Sequence, residues 1–285
     1  MTRFIDAHVH PPIPGFLDGP IGPYIDGLRS YLGAAIGPQS PDELAEFYRS
    51  RDAMAILLGW NSRPASGYRS LTNVQIAELV DGAPDVFIGF GAVEPTGGAG
   101  AVAAVHQAAR LGLAGLSFHP ASEQVTPTER ESRQLWETTV EHGLIVLIHT
   151  GFTRLGAGMA GGGGVALEPA RPIHVDRLAA AYPEMKVILA HTGPLWLDEA
   201  LAISLHKGNV HLCLSGVTPK AMSPELLDLI RGSLRDRVHF GSDYPFGNPD
   251  AWLAEWESLG LPEEINRAVL VDNISRLLRL PSEKA

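Results

Sequence analysis

Eight short β-rich runs recur along the chain with helix-like stretches between them. They read FIDAHVH (4–10), AMAILLGW (53–60), DVFIGFGAV (85–93), LAGLSFHP (113–120), LIVLIHTG (144–151), KVILAHTG (186–193), NVHLCLSG (209–216) and RVHFGSDYP (237–245). Helical patterns fill the intervals at 98–111, 128–142, 171–182, 196–206 and 223–235. Strand–helix alternation repeating about every 30 residues is the pattern of parallel βαβ units. Eight such units in 285 residues predict a (β/α)8 TIM barrel. An open doubly wound sheet is the structural alternative, but no glycine fingerprint follows the first strand. No repeat, heptad or linker divides the chain, so one domain is expected over 1–285.

Two stretches break the rhythm. Residues 11–41 are rich in proline and glycine and precede the helix-like PDELAEFYRSRD. Residues 151–172, GFTRLGAGMAGGGGVALEPARP, follow the fifth strand. Glycine runs are often floppy connectors. Both stretches follow strand C-termini, however, the face where barrels build their sites, so lid-like insertions over the mouth are expected.

The first strand carries His8 and His10 one residue apart. Strict alternation would put Phe4, Asp6, His8 and His10 on one face. A His-x-His pair is a weak signal taken alone. His119 closes the fourth strand, His149 the fifth, His191 the sixth and Asp243 the eighth. A parallel barrel brings all of these tips to one mouth. Imidazoles with a carboxylate are ligands for zinc, iron or manganese, so a divalent or trivalent metal centre is expected there. The alternative for Asp243 is a helix cap before Pro245. His106, His142, His206, His211 and His239 fall on helices or lower in strands and read as structural. His174 opens a helix and suits a loop or surface role. Cys213 is a nucleophile candidate that reads better as a small buried residue. Glu168 could reach the mouth, although loop carboxylates are usually solvated.

Composition narrows the partners. A formal net charge of −10 disfavours a nucleic-acid surface. The single cysteine, Cys213, excludes an internal disulfide and fits a reducing compartment. No signal-peptide pattern or membrane-length apolar run is present, so a cytoplasmic protein away from membranes is expected. A homodimer is left open.

In combination, FIDAHVH, LIVLIHTG, LAHTG and HFGSDYP resemble the amidohydrolase superfamily, in its branch of small metal-dependent hydrolases and decarboxylases. DNISRLLRL resembles the closing helix of that branch. The resemblance implies that His8, His10, His149 and Asp243 hold one ion, with His191 acting on water or substrate. In a two-ion version His149 and His191 would hold the second ion, bridged by a carboxylated lysine from the fourth strand. Ser117 stands where related sequences carry that lysine, in GLSFHP. One ion is therefore the starting expectation, with His119 as a further candidate ligand and a hydroxide bridge as the route to two.

Residues 149–220 also resemble a subgroup of aryl β-ketoacyl-CoA hydrolases and metal-dependent acyl-CoA thioesterases. This implies a CoA thioester substrate and attack by metal-activated water at a thioester or β-keto carbonyl, with His191 and Asp243 moving protons. AHTGPLW and CLSG depart from that subgroup. Arg63, Arg69, Arg154, Lys207 and Lys220 are candidates for a basic rim at the mouth, despite the acidic total. Non-oxidative decarboxylation of an aromatic or enol acid is the alternative function.

Overall fold

The computed structural model describes residues 2–61, 63–191, 193 and 195–281. Thr192 and Pro194 of the LAHTGPLW stretch lie outside the described residues, as do Met1, Ser62 and 282–285. The eight runs form one parallel sheet in sequential order. Its strands are β1 (Phe4–Val9), β2 (Ala53–Leu58), β3 (Phe87–Ala92), β4 (Gly115–Phe118), β5 (Ile145–His149), β6 (Val187–Ala190), β7 (Val210–Cys213) and β8 (Val238–His239). These runs are apolar on both faces because both faces are covered. Ile5, Ile56, Phe90, Leu147, Ile188 and Cys213 fill the barrel interior. The alternate residues, Leu57, Leu116, Val146, Leu189 and Leu212 among them, pack outward against helices. The fold is a (β/α)8 TIM barrel.

The helices start where their sequences supply caps. Ser40 and Glu43 form a capping box ahead of Pro41–Arg49, and Thr72 and Gln75 form another ahead of Asn73–Gly82. Asn248 caps Pro249–Glu257, which leaves Asp243 free of that role.

The expectation of strict alternation in β1 is corrected by a β-bulge. Asp6 pairs with Ala55 but Val9 pairs with Leu57, so β1 holds one residue more than β2 over that interval. Ile5 and Ala7 face the interior, while Phe4 and Val9 join the outer core. His8 and His10 turn inward only because the bulge resets the phase. Asp6 sits on the other side and pins the bulge. Its Oδ1 accepts N–H groups from His8 at 3.2 Å and Ser242 at 2.8 Å. Its Oδ2 accepts hydroxyls from Ser242 at 2.5 Å and Tyr48 at 3.0 Å.

β8 is shorter than the run 237–245 suggests, ending at His239. Gly241 passes so close to the interior wall that a Cβ there would lie 2.4 Å from Cys213 Sγ. The chain then turns at Asp243, whose φ is +60°. It still closes the barrel against β1. Ala7 N–H donates to Phe240 O at 3.0 Å, Asp243 N–H to His8 O at 3.0 Å, and His10 N–H to Tyr244 O at 2.7 Å.

The two insertions pack on each other above the C-terminal ends of the strands. Phe16, Ile21, Tyr24 and Leu28 from the first meet Leu155, Val165 and Ala170 from the second, around Trp60. Gly163 allows the approach: its φ is +59°, and a Cβ there would lie 2.9 Å from the Tyr24 ring. Among the described residues no helix is long and apolar enough to cross a membrane.

Candidate metal centre

β1 delivers His8 and His10 to the barrel mouth, and the turn after β8 delivers Asp243. The Nε2 atoms of His8 and His10 are 3.1 Å apart. Oδ1 of Asp243 lies 3.3 Å from the first and 3.6 Å from the second. Donors bonded to one ion at roughly 2.0–2.2 Å stand about 3–3.5 Å apart, so the three atoms are spaced as ligands of a shared ion. His8, His10 and His149 converge in one group of donors, and His8, His191 and Asp243 in a second. Nδ1 of His149 lies 3.1 Å from Nε2 of His191. Nε2 of His149 is buried with no hydrogen-bond partner, and such an orphaned nitrogen is costly unless something binds it.

The electrostatics suit a cation. Burial, followed by the neighbouring His191 and His10 imidazoles, pushes His8 well below the usual imidazole range. Burial, then His119, does the same for His10 and His149. Burial and then the Arg154 guanidinium act on His191. Neutral imidazoles are the form that ligates metals. Burial raises the Asp243 carboxyl to about 7, against the lowering effect of Arg154. Burial likewise raises Asp6 to about 6.

Surrounding groups orient this set, as the outer contacts of metal ligands do. Nδ1 of His8 lies 2.8 Å from Ser215 Oγ, which leaves its Nε2 facing the centre. Ser215 Oγ also accepts the His191 N–H at 3.3 Å. Arg154 Nη1 donates to Oδ2 of Asp243 at 2.8 Å, and its Nη2 to Gly216 O at 3.3 Å. His191 and Asp243 both have positive φ, +67° and +60°. That conformation is rare outside glycine and concentrates at functional sites.

The remaining expectations divide. His119 reaches the mouth but joins no three-donor group among the described residues. Its Nδ1 accepts the Ser122 N–H at 3.1 Å, and its Nε2 lies 3.3 Å from Thr153 Oγ1. Both ring nitrogens therefore have protein partners. Ser117 is buried on β4, so no lysine stands there to bridge two ions. The expectation that Lys207 lies at the mouth is corrected. The residue precedes β7, at the opposite end of the barrel, and pairs with Asp176 at 2.7 Å. Glu168 pairs with His174 at 2.9 Å and is largely exposed, away from the ligand group. Arg63 and Arg69 line a separate open cleft of about 780 Å³ near the ends of β2 and β3, and the Lys220 N–H meets Glu255 at 3.3 Å. His106 pairs with His142 at 2.7 Å on the surface. His206 lies beside Lys207, and His211 and His239 stack below the site. Cys213 is fully buried, with its thiol pushed up to about 12.

Sequence reasoning missed Trp60, Thr153, Phe152 and Phe246. Together with Leu28, Leu155 and Arg154 they wall a cavity of about 20 Å³ beside His149, His191 and Asp243. Trp60 ends the second β-rich run, as the histidines end theirs, and that position was the available signal.

A (β/α)8 barrel with histidines and an aspartate converging at its C-terminal mouth defines a class of barrel with a candidate metal centre. The chain belongs to the Amidohydrolase family, whose model matches residues 5–280. No curated protein matches it significantly. Among solved structures, a TIM-barrel protein from Bordetella bronchiseptica is 23% identical with a TM-score of 0.77, covering 97% of this chain and 98% of that one. The 5-carboxyvanillate decarboxylase LigW from Sphingomonas paucimobilis is 18% identical with a TM-score of 0.66, covering 99% and 100%. A dihydroxybenzoic acid decarboxylase from Polaromonas sp. JS666, solved with manganese and the inhibitor 2-nitroresorcinol, is 20% identical with a TM-score of 0.68, covering 98% of both chains.

Proposed function

We propose that the protein is a metal-dependent, non-oxidative decarboxylase of an aromatic carboxylic acid. The observation that carries this reading is the cavity wall. Trp60, Phe152 and Phe246, with Leu28 and Leu155, surround a small enclosed space holding one guanidinium, Arg154. Aromatic walls beside a guanidinium and several imidazoles suit a planar acid. The likeness to aromatic-acid decarboxylases agrees with it. This reading takes the place of the acyl-CoA hydrolysis expected from residues 149–220, which the family match and the solved structures named above do not support. A cavity of about 20 Å³ holds little more than a water molecule, so the two insertions must part to admit a ring.

His8, His10, His149 and Asp243 would hold one ion, and zinc, iron and manganese all remain compatible with these donors. When bound, the ion would polarise the oxygens of the acid as a Lewis acid. His191, outside that ligand set with its Nε2 3.1 Å from His149 Nδ1, is placed to hold or release a proton. A proton delivered to the carboxylate-bearing ring carbon lets the C–C bond break, its electron pair returning to the ring as carbon dioxide leaves. His191 orients the acid, and Arg154 holds Asp243 in place.

The test is product analysis with manganese- and zinc-loaded protein over a panel of hydroxybenzoates and acyl-CoA thioesters. Carbon dioxide and the decarboxylated arene, with one solvent deuteron on the ring in heavy water, support the proposal. Free thiol from a thioester, with no carbon dioxide from any acid, would overturn it.

A further inference from the structure

The placement of protons on the cavity wall gives Thr153 a role. The His119 ring is held between Trp60, with centroids 4.6 Å apart, and His149, at 4.5 Å. Its Nδ1 accepts the backbone N–H of Ser122 at 3.1 Å. A backbone N–H is a fixed donor, so Nδ1 carries no proton and the neutral ring keeps its proton on Nε2. That Nε2–H faces Thr153 Oγ1 at 3.3 Å. The Leu155 N–H donates to the same oxygen at 3.2 Å. Both acceptor positions of the hydroxyl are therefore taken, and its own proton remains. No described residue accepts that proton. Thr153 is buried and lines the same cavity as His149, His191 and Asp243.

We propose that Thr153 is a substrate-selecting hydrogen-bond donor, whose hydroxyl binds an acceptor oxygen of the substrate beside the metal centre. His119 is the positioning residue that aims it. The acceptor would be a phenolate, carboxylate or carbonyl oxygen. The chemical class of substrate rests on the aromatic-acid reading, whereas the direction of the hydrogen-bond chain does not.

The experiment compares wild type, Thr153→Val, Thr153→Ser and His119→Gln, all zinc-loaded, with metal content and thermal melts as controls. Each is titrated with 2,6-dihydroxybenzoate and 2-nitroresorcinol, followed by tryptophan fluorescence. Thr153→Val should keep its metal and weaken binding about 10–100-fold, the range for a hydrogen bond to a charged acceptor. Thr153→Ser should bind within a few-fold of wild type, and His119→Gln should lie between Val and wild type. Nitrogen-15 spectra of zinc-loaded wild type should show His119 as the Nε2–H form. Unchanged affinity in Thr153→Val, or an Nδ1–H form of His119, overturns the role of Thr153 while leaving the decarboxylase reading standing. A wild type that binds neither probe overturns the aromatic-acid reading and removes the support for Thr153 as its selector. If Thr153→Val fails to fold, loss of binding in His119→Gln with metal retained supports the chain, and unchanged binding overturns it.

Discussion

Arg154 donates to one oxygen of Asp243 while the other oxygen faces His8 and His10. The carboxylate is thus divided between a cation supplied by the chain and the candidate metal position. Arg154 lies on the second insertion and Asp243 just past β8, so the pairing ties that insertion to the barrel.

Removing Arg154 should make metal uptake more pH-dependent. Without the guanidinium nothing opposes the burial that raises Asp243 to about 7, so more protons must leave before an ion can bind. The ratio of metal Kd at pH 6 to that at pH 8 is expected to be larger in Arg154→Met than in wild type. Cation repulsion by Arg154 is the same at both pH values and cancels in the ratio. Competition with a chromogenic chelator measures it.

Ligand and non-ligand histidines should separate cleanly. His10→Ala and His149→Ala are expected to lose bound metal and turnover together. His191→Asn should keep most of its metal and lose turnover by about 10²–10⁴-fold, the scale of a group that orients or protonates the reacting centre. Elemental analysis beside initial rates reads both quantities. Full metal occupancy in His10→Ala would remove it from the ligand set.

Asp6→Ala should be strongly destabilising. Four donors, from His8, Ser242 and Tyr48, converge on its buried carboxylate, and truncation leaves them without an acceptor. Breaking a buried polar network of this kind costs about 3–5 kcal/mol. Urea denaturation should show the midpoint shift. Metal affinity should fall as well, because the same carboxylate pins the bulge that turns His8 and His10 inward.

Metal-free protein should be acid-labile. His8, His10, His119, His149, His191, His211 and His239 all have folded pKa values below 6.5, with burial the largest cause in each. As pH falls through 6.5 the unfolded chain binds protons that these rings refuse, and stability falls. Asp6, Glu123 and Asp243 are raised and act the other way, adding stability as pH drops toward 4. Seven rings outweigh three carboxyls, so Tm at pH 5.5 should lie below Tm at pH 7.5. Equal Tm values would contradict this.

Cys213 should be inert. It is fully buried, and its thiol is pushed up to about 12, so almost no thiolate exists at neutral pH. A thiol-reactive dye at pH 8 should label the denatured chain and leave the folded one untouched. Rapid native labelling would show that the barrel interior opens.

The barrel was legible in the sequence because a strand covered on both faces must be apolar throughout, and eight such runs with helices between them leave few other topologies. The candidate ligands were legible for a related reason. Side chains at the C-terminal ends of parallel strands share one end of the barrel wherever the strands lie in the chain. Tertiary structure alone decided the rest. The bulge in β1 could not be read, since FIDAHVH alternates equally well with or without an extra residue, and the choice falls to Asp6 meeting Ser242 and Tyr48 from distant segments. His119 looked like a ligand because its position is right. Whether its nitrogens are available depends on the Ser122 N–H and Thr153, and therefore on how a turn and an insertion fold back. Lys207 shows the converse, since a charge near the mouth in sequence reading lies at the far end once the helix before it has run back down the barrel. Local pattern encodes periodicity and strand ends, whereas lone pairs, protons and cavity walls are settled by partners that only the closed barrel brings into range.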